Sequence, residues 1–190
     1  TQPPFYYILP RQQHDQSELV SLVRVMQEHG VEVYRMNKPH RDGNRMFNSG
    51  DFVIPMAQPY RSLVKELMEK QYYPERHSTR GGLLIKPYDI TSWSLPLHRG
   101  LESFEIVERL PELEKELELL PVPFRQQQTI PKSFSHVILP SSCNGNYKLA
   151  FAALAAKMTV ERTTADWAKE GKSVPAGSFI IGKSDELLSL

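Results

Sequence analysis

Apolar residues in the first third of the chain switch between the spacing of strands and the spacing of helices. Residues 5–9 are a β-prone run that stops at a proline, and residues 31–36 and 51–55 have the pattern of further strands. Between them, the apolar positions of residues 19–26 recur at helical spacing, and Gly30 ends that helix. Strand, helix and strand in this order are typical of parallel strands joined by helical crossovers. The pattern therefore predicts a three-layer α/β/α domain with a mainly parallel sheet.

The last third of the chain repeats the first. Residues 8–10 (Ile-Leu-Pro) match residues 138–140 at an offset of 130. After a three-residue deletion the offset becomes 127, and residues 50–54 (Gly-Asp-Phe-Val-Ile) match residues 177–181 (Gly-Ser-Phe-Ile-Ile). These matches favour two related strand–helix–strand units in one sheet, and chance similarity between two such units is the alternative.

The middle of the chain has a different character. It begins with a polar, turn-rich stretch, and residues 107–120 carry an apolar stripe that predicts an acidic helix interrupted near Pro111. We therefore predict one α/β domain over residues 1–190, with a core of residues 1–71 and 134–190 and an insertion at 72–133. Because the sequence opens without methionine, we also expect a segment of a longer protein.

Charge and cysteine content narrow the classes of function. The 190 residues include 23 Lys and Arg against 22 Asp and Glu, a net charge of +1, which argues against a dedicated nucleic-acid binder. The single cysteine, Cys143, excludes an intrachain disulfide. No apolar run approaches the roughly 18 residues that a membrane span needs, so we expect no such span.

One pair of residues could support thiol chemistry. Cys143 lies in the run Ser141-Ser142-Cys143-Asn144-Gly145 between a predicted strand and a helix, where nucleophile elbows occur. No histidine follows Cys143, but His14 lies in the equivalent loop of the first repeat and could serve as the base, with Asp15 orienting its imidazole. In the alternative, Asp15 caps its own helix, His14 faces solvent and Cys143 is an ordinary thiol.

A zinc-like spacing is present but is not predicted to bind metal. His29 and Glu32 fit the pattern HxxE, and His136 is a distant third candidate. However, His29 closes a helix before Gly30, while Glu32 belongs to the next strand. An imidazole that interacts with the last carbonyls of the helix is the better interpretation of His29.

The most specific signal lies between residues 50 and 100. Residues 50–61 read GDFVIPMAQPYR, residues 69–74 read EKQYYP, and residues 87–97 read PYDITSWSLPL. This succession resembles the region downstream of the catalytic domain in large secreted bacterial proteins of the zinc carboxypeptidase (carboxypeptidase A-like) family. The resemblance covers most of the chain. It implies a domain similar to class I glutamine amidotransferases, with a flavodoxin-like fold.

The resemblance implies an accessory role rather than a catalytic one. The zinc-binding motif of the peptidase would precede Thr1, so zinc is expected there and no cofactor is expected in this segment. The Cys-His-Glu triad of the amidotransferases needs a histidine after its nucleophile, which this chain lacks. We therefore expect a non-catalytic domain that braces or gates the peptidase domain of the same protein, or binds a peptide or glycan. Such a parent protein is expected in the periplasm or outside the cell.

Five residues of the motif are candidates for binding, and each also has a structural interpretation. Gln58 could cap the following helix, and an Arg61–Asp89 ion pair is possible. Trp93 could cover an exposed part of the core, and Tyr60 is the fifth candidate for binding. For these residues the structural interpretation is favoured over ligand contact.

Overall fold

A computed structural model describes residues 2–72, 74–86, 93–126, 133–169, 172–185 and 187. The chain divides into two compact units. The first contains Thr1–Arg11 and Leu22–Phe124, and the second contains Gln12–Ser21 and Arg125–Leu190.

The described residues form five helices and twelve strands, most of them short. The helices are α1 (Gln16–Glu28), α2 (Arg61–Met68), α3 (Leu95–His98), α4 (Pro111–Glu114) and α5 (Asn144–Ala155). The strands are β1 (Tyr6–Leu9), β2 (Tyr34–Met36), β3 (His40–Asp42), β4 (Arg45–Phe47), β5 (Phe52–Pro55), β6 (Phe104–Ile106), β7 (Leu117–Leu119), β8 (His136–Leu139), β9 (Val160–Arg162), β10 (Trp167–Lys169), β11 (Lys172–Val174) and β12 (Phe179–Gly182).

The first unit contains a five-stranded sheet in the order β6-β1-β5-β2-β7. Every neighbouring pair is antiparallel. All four residues of β1 are buried, as expected for a strand that has neighbours on both sides and side chains packed on both faces. One core cluster joins β1, β5, β2 and β6 to the β3–β4 hairpin and α4. Its buried members are Tyr6, Ile8, Met36, Phe47, Val53, Ile106 and Leu113.

The second unit contains a three-stranded antiparallel sheet in the order β8-β12-β9. Helix α5 packs on one face of this sheet through Ala150 and Ala153, both fully buried. Leu139, Phe179 and Ile181 lie in the same core cluster. Small alanine side chains let the helix approach the sheet closely while the larger side chains of the strands fill the space. Strands β10 and β11 form a separate two-stranded antiparallel sheet.

The predicted three-layer α/β/α fold with a mainly parallel sheet, of the class I glutamine amidotransferase or flavodoxin type, is wrong. The structure consists of small, mostly antiparallel sheets with about a quarter of the residues in helices. In addition, β1 and β8 lie in separate sheets. The physical reason is the position of β5. Strands β1 and β2 do run parallel to each other, but β5 inserts between them and pairs antiparallel with both.

The two sheets nevertheless share one internal arrangement, which we call the first repeat (residues 6–55) and the second repeat (residues 136–182). In the first repeat Leu9 lies opposite Phe52, and in the second Leu139 lies opposite Phe179. On the other side of each phenylalanine lies an arginine. Arg35 of β2 is opposite Phe52, and Arg162 of β9 is opposite Phe179. Because a register slip of one residue would turn every side chain to the other face, the shared register indicates equivalent strands.

The helix ends are equivalent too. Gly30, with φ of 78°, follows α1, and Lys157, with φ of 61°, holds the matching position after α5. At each end the N–H of this residue donates to a carbonyl three residues back, and the next N–H donates to a carbonyl five residues back. This is the bonding of a Schellman motif, which favours glycine in its left-handed position.

A buried side chain closes the loop before the last strand in both repeats. Asp51 accepts the N–H of Arg11 at 2.8 Å, and Ser178 accepts the N–H of Ser141 at 3.0 Å. Both Asp51 and Ser178 are buried. Each holds the chain that leaves the first strand of its repeat. The two positions therefore have the same structural role, which is filled by a carboxylate in one repeat and by a hydroxyl in the other.

The acidic helix predicted for residues 107–120 is also wrong. This stretch contains the four-residue helix α4 and the strand β7, and β6 ends just before it. Leu117-Glu118-Leu119 alternates as a strand does, and it pairs along β2 at the edge of the sheet. An apolar spacing of three or four residues does not distinguish these short elements from one interrupted helix.

Candidate functional site

The loops that precede α1 and α5 come together within the second unit. Asp15 stands just before α1 and is 2% exposed, and Cys143 is the residue that precedes α5. The carboxylate of Asp15 is the centre of this cluster, because it accepts hydrogen bonds from the starts of both helices.

One carboxylate oxygen of Asp15 accepts hydrogen bonds from the start of α1, and the other accepts one from the start of α5. Oδ1 accepts the N–H of Ser17 at 2.9 Å, the hydroxyl of Ser17 at 2.6 Å and the N–H of Glu18 at 3.3 Å. Oδ2 accepts the N–H of Asn144 at 2.7 Å. Ser17 extends the link, since its Oγ accepts the N–H of Gly145 at 2.9 Å. Asp15 thus caps its own helix, as the sequence predicts, and also satisfies the first N–H groups of a second helix.

These donors determine the ionisation of Asp15. Burial alone raises the pKa of this carboxyl, but the hydrogen bonds from Asn144, Ser17, Cys143 and Glu18 outweigh burial and leave the pKa below its ordinary value. The carboxylate is therefore charged at neutral pH.

Cys143 is half-buried against the same carboxylate. Its Sγ lies 3.3 Å from Oδ1 of Asp15 and 3.6 Å from Oγ of Ser17, so the thiol donates to an anion. His14 is exposed, and within the described residues no contact joins its imidazole to Cys143. The cluster brings Asp15 to Cys143, and in this structure Asp15 does not hold His14 as the thiol hypothesis requires.

Gln58 and Arg61 of the motif at residues 50–61 hold the backbone of their own unit. The amide of Gln58 accepts the N–H of Glu32 at 2.9 Å and donates to the carbonyls of Glu32 and Pro55. The predicted helix cap by Gln58 is wrong, since α2 begins after Tyr60 without a side-chain cap. Arg61 donates to Pro4 O at 3.0 Å and to three further carbonyls near the start of the chain and after β5.

Among the remaining candidates, Tyr60 and Trp93 belong to the described part of the chain. Tyr60 is 47% exposed and Trp93 is 52% exposed, and the covering role expected of Trp93 stays a prediction. Asp89 lies outside the described residues, and so does its predicted pair with Arg61. His29 interacts with the carbonyl of Val25 at 2.8 Å, which is the helix-end contact that the sequence predicts. Within the described ranges no group of three or more His, Cys, Asp or Glu side chains is arranged to hold a metal ion.

Sequence reasoning missed the paired roles of Asp51 and Ser178. Their signal was present in the matched runs Gly-Asp-Phe and Gly-Ser-Phe, where a small polar residue follows a glycine at the same offset. The same offset of 127 pairs Arg35 with Arg162 in the sequence, as the strand registers confirm. Arg35 forms an ion pair with Glu118 of β7 at 3.0 Å, both side chains being about half exposed.

Comparison of the chain with protein-family models, with curated proteins and with solved structures finds no match in any of the three. None of the described helices has the length and apolar character to cross a membrane.

Proposed function

We propose that residues 1–190 act as a non-catalytic accessory module of an exported zinc carboxypeptidase-like protein, where the module braces or gates the peptidase domain or binds a peptide. The family enters through the resemblance of residues 50–61, 69–74 and 87–97. The amidotransferase-like fold that the resemblance implies is not the fold of this chain.

The observation that carries the non-catalytic role is the bonding of Asp15. A catalytic carboxylate beside a Cys–His pair would orient the imidazole. Here the same carboxylate accepts three backbone N–H groups, one hydroxyl and one thiol, which ties the starts of α1 and α5 together. The neighbour of the thiol is thus a carboxylate whose pKa is lowered, and such a carboxylate is too weak a base to take the proton that it accepts in this hydrogen bond.

The motif residues support the same proposal. The polar groups of Gln58 and Arg61 bond to backbone carbonyls and to one backbone N–H, so these two residues of the motif hold the backbone of the first unit. This bonding supports a structural role for both residues.

The test compares the full parent protein with variants of this segment. The first step is the complete reading frame, which should encode a peptidase domain with its zinc-binding HxxE motif before Thr1. In that protein, hydrolysis of a peptide at its C-terminal residue should be abolished by a zinc chelator and should persist in Cys143→Ala. A parent without a peptidase domain, or hydrolysis that survives chelation but is lost in both Cys143→Ala and His14→Ala, would overturn the proposal.

A further inference from the structure

The two repeats differ in whether further strands pair along their outer strands. In the first repeat β6 pairs along β1 and β7 pairs along β2, so both outer strands are covered. In the second repeat β8 and β9 are the outer strands, and no described residue pairs along their free sides. Since the repeats share strand order and register, the first repeat shows how the second can be completed.

The backbone of β9 presents hydrogen-bonding groups at its free side. The N–H of Thr163 donates to Ser178 O at 2.9 Å, towards β12. Because the amides of an antiparallel strand alternate in direction, the N–H and C=O of Arg162 point to the other side, away from β12. The equivalent side of β2 is closed by β7, where the N–H of Leu120 donates to Val33 O at 3.0 Å.

The side chain of Arg162 indicates which charge would suit a strand added along β9. In the first repeat the equivalent Arg35 lies opposite Glu118 and forms an ion pair with it. Arg162 is exposed; its Nε donates to Gly177 O at 3.0 Å and its guanidinium lies over the ring of Phe179. Among the described residues no carboxylate pairs with Arg162, so the guanidinium retains donors for one.

We propose that the free edge of β9 binds an extended peptide of alternating apolar and acidic residues, added as an antiparallel strand with a carboxylate opposite Arg162. This inference rests on the proposed function for the role of the chain as a binding module, and it names the ligand class. The added strand would gain main-chain hydrogen bonds for affinity and the charge pair for register.

A second copy of this chain fits the same edge less well. In an antiparallel pair of two β9 strands that overlaps all three residues, Glu161 would lie opposite its own copy. Like charges directly opposite each other are destabilising in a sheet. The acidic peptide places opposite charges together at Arg162 and brings no second Glu161. We therefore assign the edge to a strand from a different molecule.

The test uses a labelled, end-blocked peptide with the sequence of residues 115–121, Lys-Glu-Leu-Glu-Leu-Leu-Pro, in fluorescence anisotropy with the intact chain. We expect binding that weakens about tenfold when the glutamate equivalent to Glu118 becomes lysine. N-methylation of that same glutamate should also weaken binding, because its N–H would donate to Arg162 O. Both changes are made in the peptide, so neither affects the folding of the protein.

Protein variants locate the binding edge. Arg162→Glu should reverse the preference in favour of the lysine peptide, whereas the matched variant Arg35→Glu should leave it unchanged. Absence of binding, equal binding of the glutamate and lysine peptides, or sensitivity to Arg35→Glu instead of Arg162→Glu would each overturn the proposal. Concentration-dependent dimerisation through β9 would overturn it in favour of a second copy. Failure here is distinguishable from failure of the proposed function, which is read from zinc-dependent hydrolysis by the parent protein.

Discussion

Replacement of Asp15 by alanine tests directly whether this one carboxylate caps both α1 and α5. The substitution removes acceptors from the N–H groups of Ser17 and Glu18 in α1 and from the N–H of Asn144 in α5. Loss of an N-cap side chain costs about 1 kcal/mol. A hydrogen bond to a charged group adds about 1.5–3 kcal/mol, and the bond to Asn144 is the short one at 2.7 Å. Together these contributions predict a loss of about 2.5–4 kcal/mol in the free energy of unfolding.

The assay is urea unfolding followed by far-ultraviolet circular dichroism at neutral pH. The control is Asp185→Ala, which removes an exposed aspartate and should change the free energy of unfolding by less than about 0.5 kcal/mol. A cost for Asp15→Ala no larger than that of the control would refute the capping role assigned to this carboxylate.

The pH dependence follows from the lowered pKa of Asp15. Because folding depresses the pKa of this group, its stabilising contribution is complete well above the unfolded value of about 3.9 and is lost as pH falls through the lower folded value. The difference in stability between the natural protein and Asp15→Ala should therefore be constant from about pH 5 to 8 and should shrink below about pH 4. A difference that grows on acidification would contradict this sign.

The remaining predictions concern backbone conformation at equivalent positions of the two repeats. Lys157→Gly should raise the free energy of unfolding by about 0.5–1 kcal/mol, because the residue has φ of 61° where the first repeat has Gly30; an unchanged urea midpoint would argue against this. Gly177→Ala should lower it by about 1–2 kcal/mol, since φ is 82° and the new Cβ would lie 2.7 Å from Nη2 of Arg162. Gly182→Ala, with no atom within 4 Å of its Cβ, should be close to neutral by thermal unfolding and serves as the control.

Part of the candidate cluster was predictable because its determinants are local. Asp15 two residues before Ser17 has the sequence of a helix cap, and it caps α1 as expected. Its second role, at Asn144, depends on chain that lies well over a hundred residues away. A capping preference is set by the adjacent turn and contains no information about which distant helix brings an N–H to the other oxygen.

Local sequence also determined the helix α1, its end at Gly30 and the existence of a repeat. These features depend on side-chain period, backbone freedom and short-range hydrogen bonds, all of which act within a few residues. Only the tertiary structure decided that β5 lies between β1 and β2, and that β7 is a strand at the edge of the sheet. Strand order and direction depend on which distant segments bury both faces of β1 and satisfy its edge groups. For that reason the same strand–helix–strand pattern was compatible with a parallel sheet, while the folded chain adopts an antiparallel one.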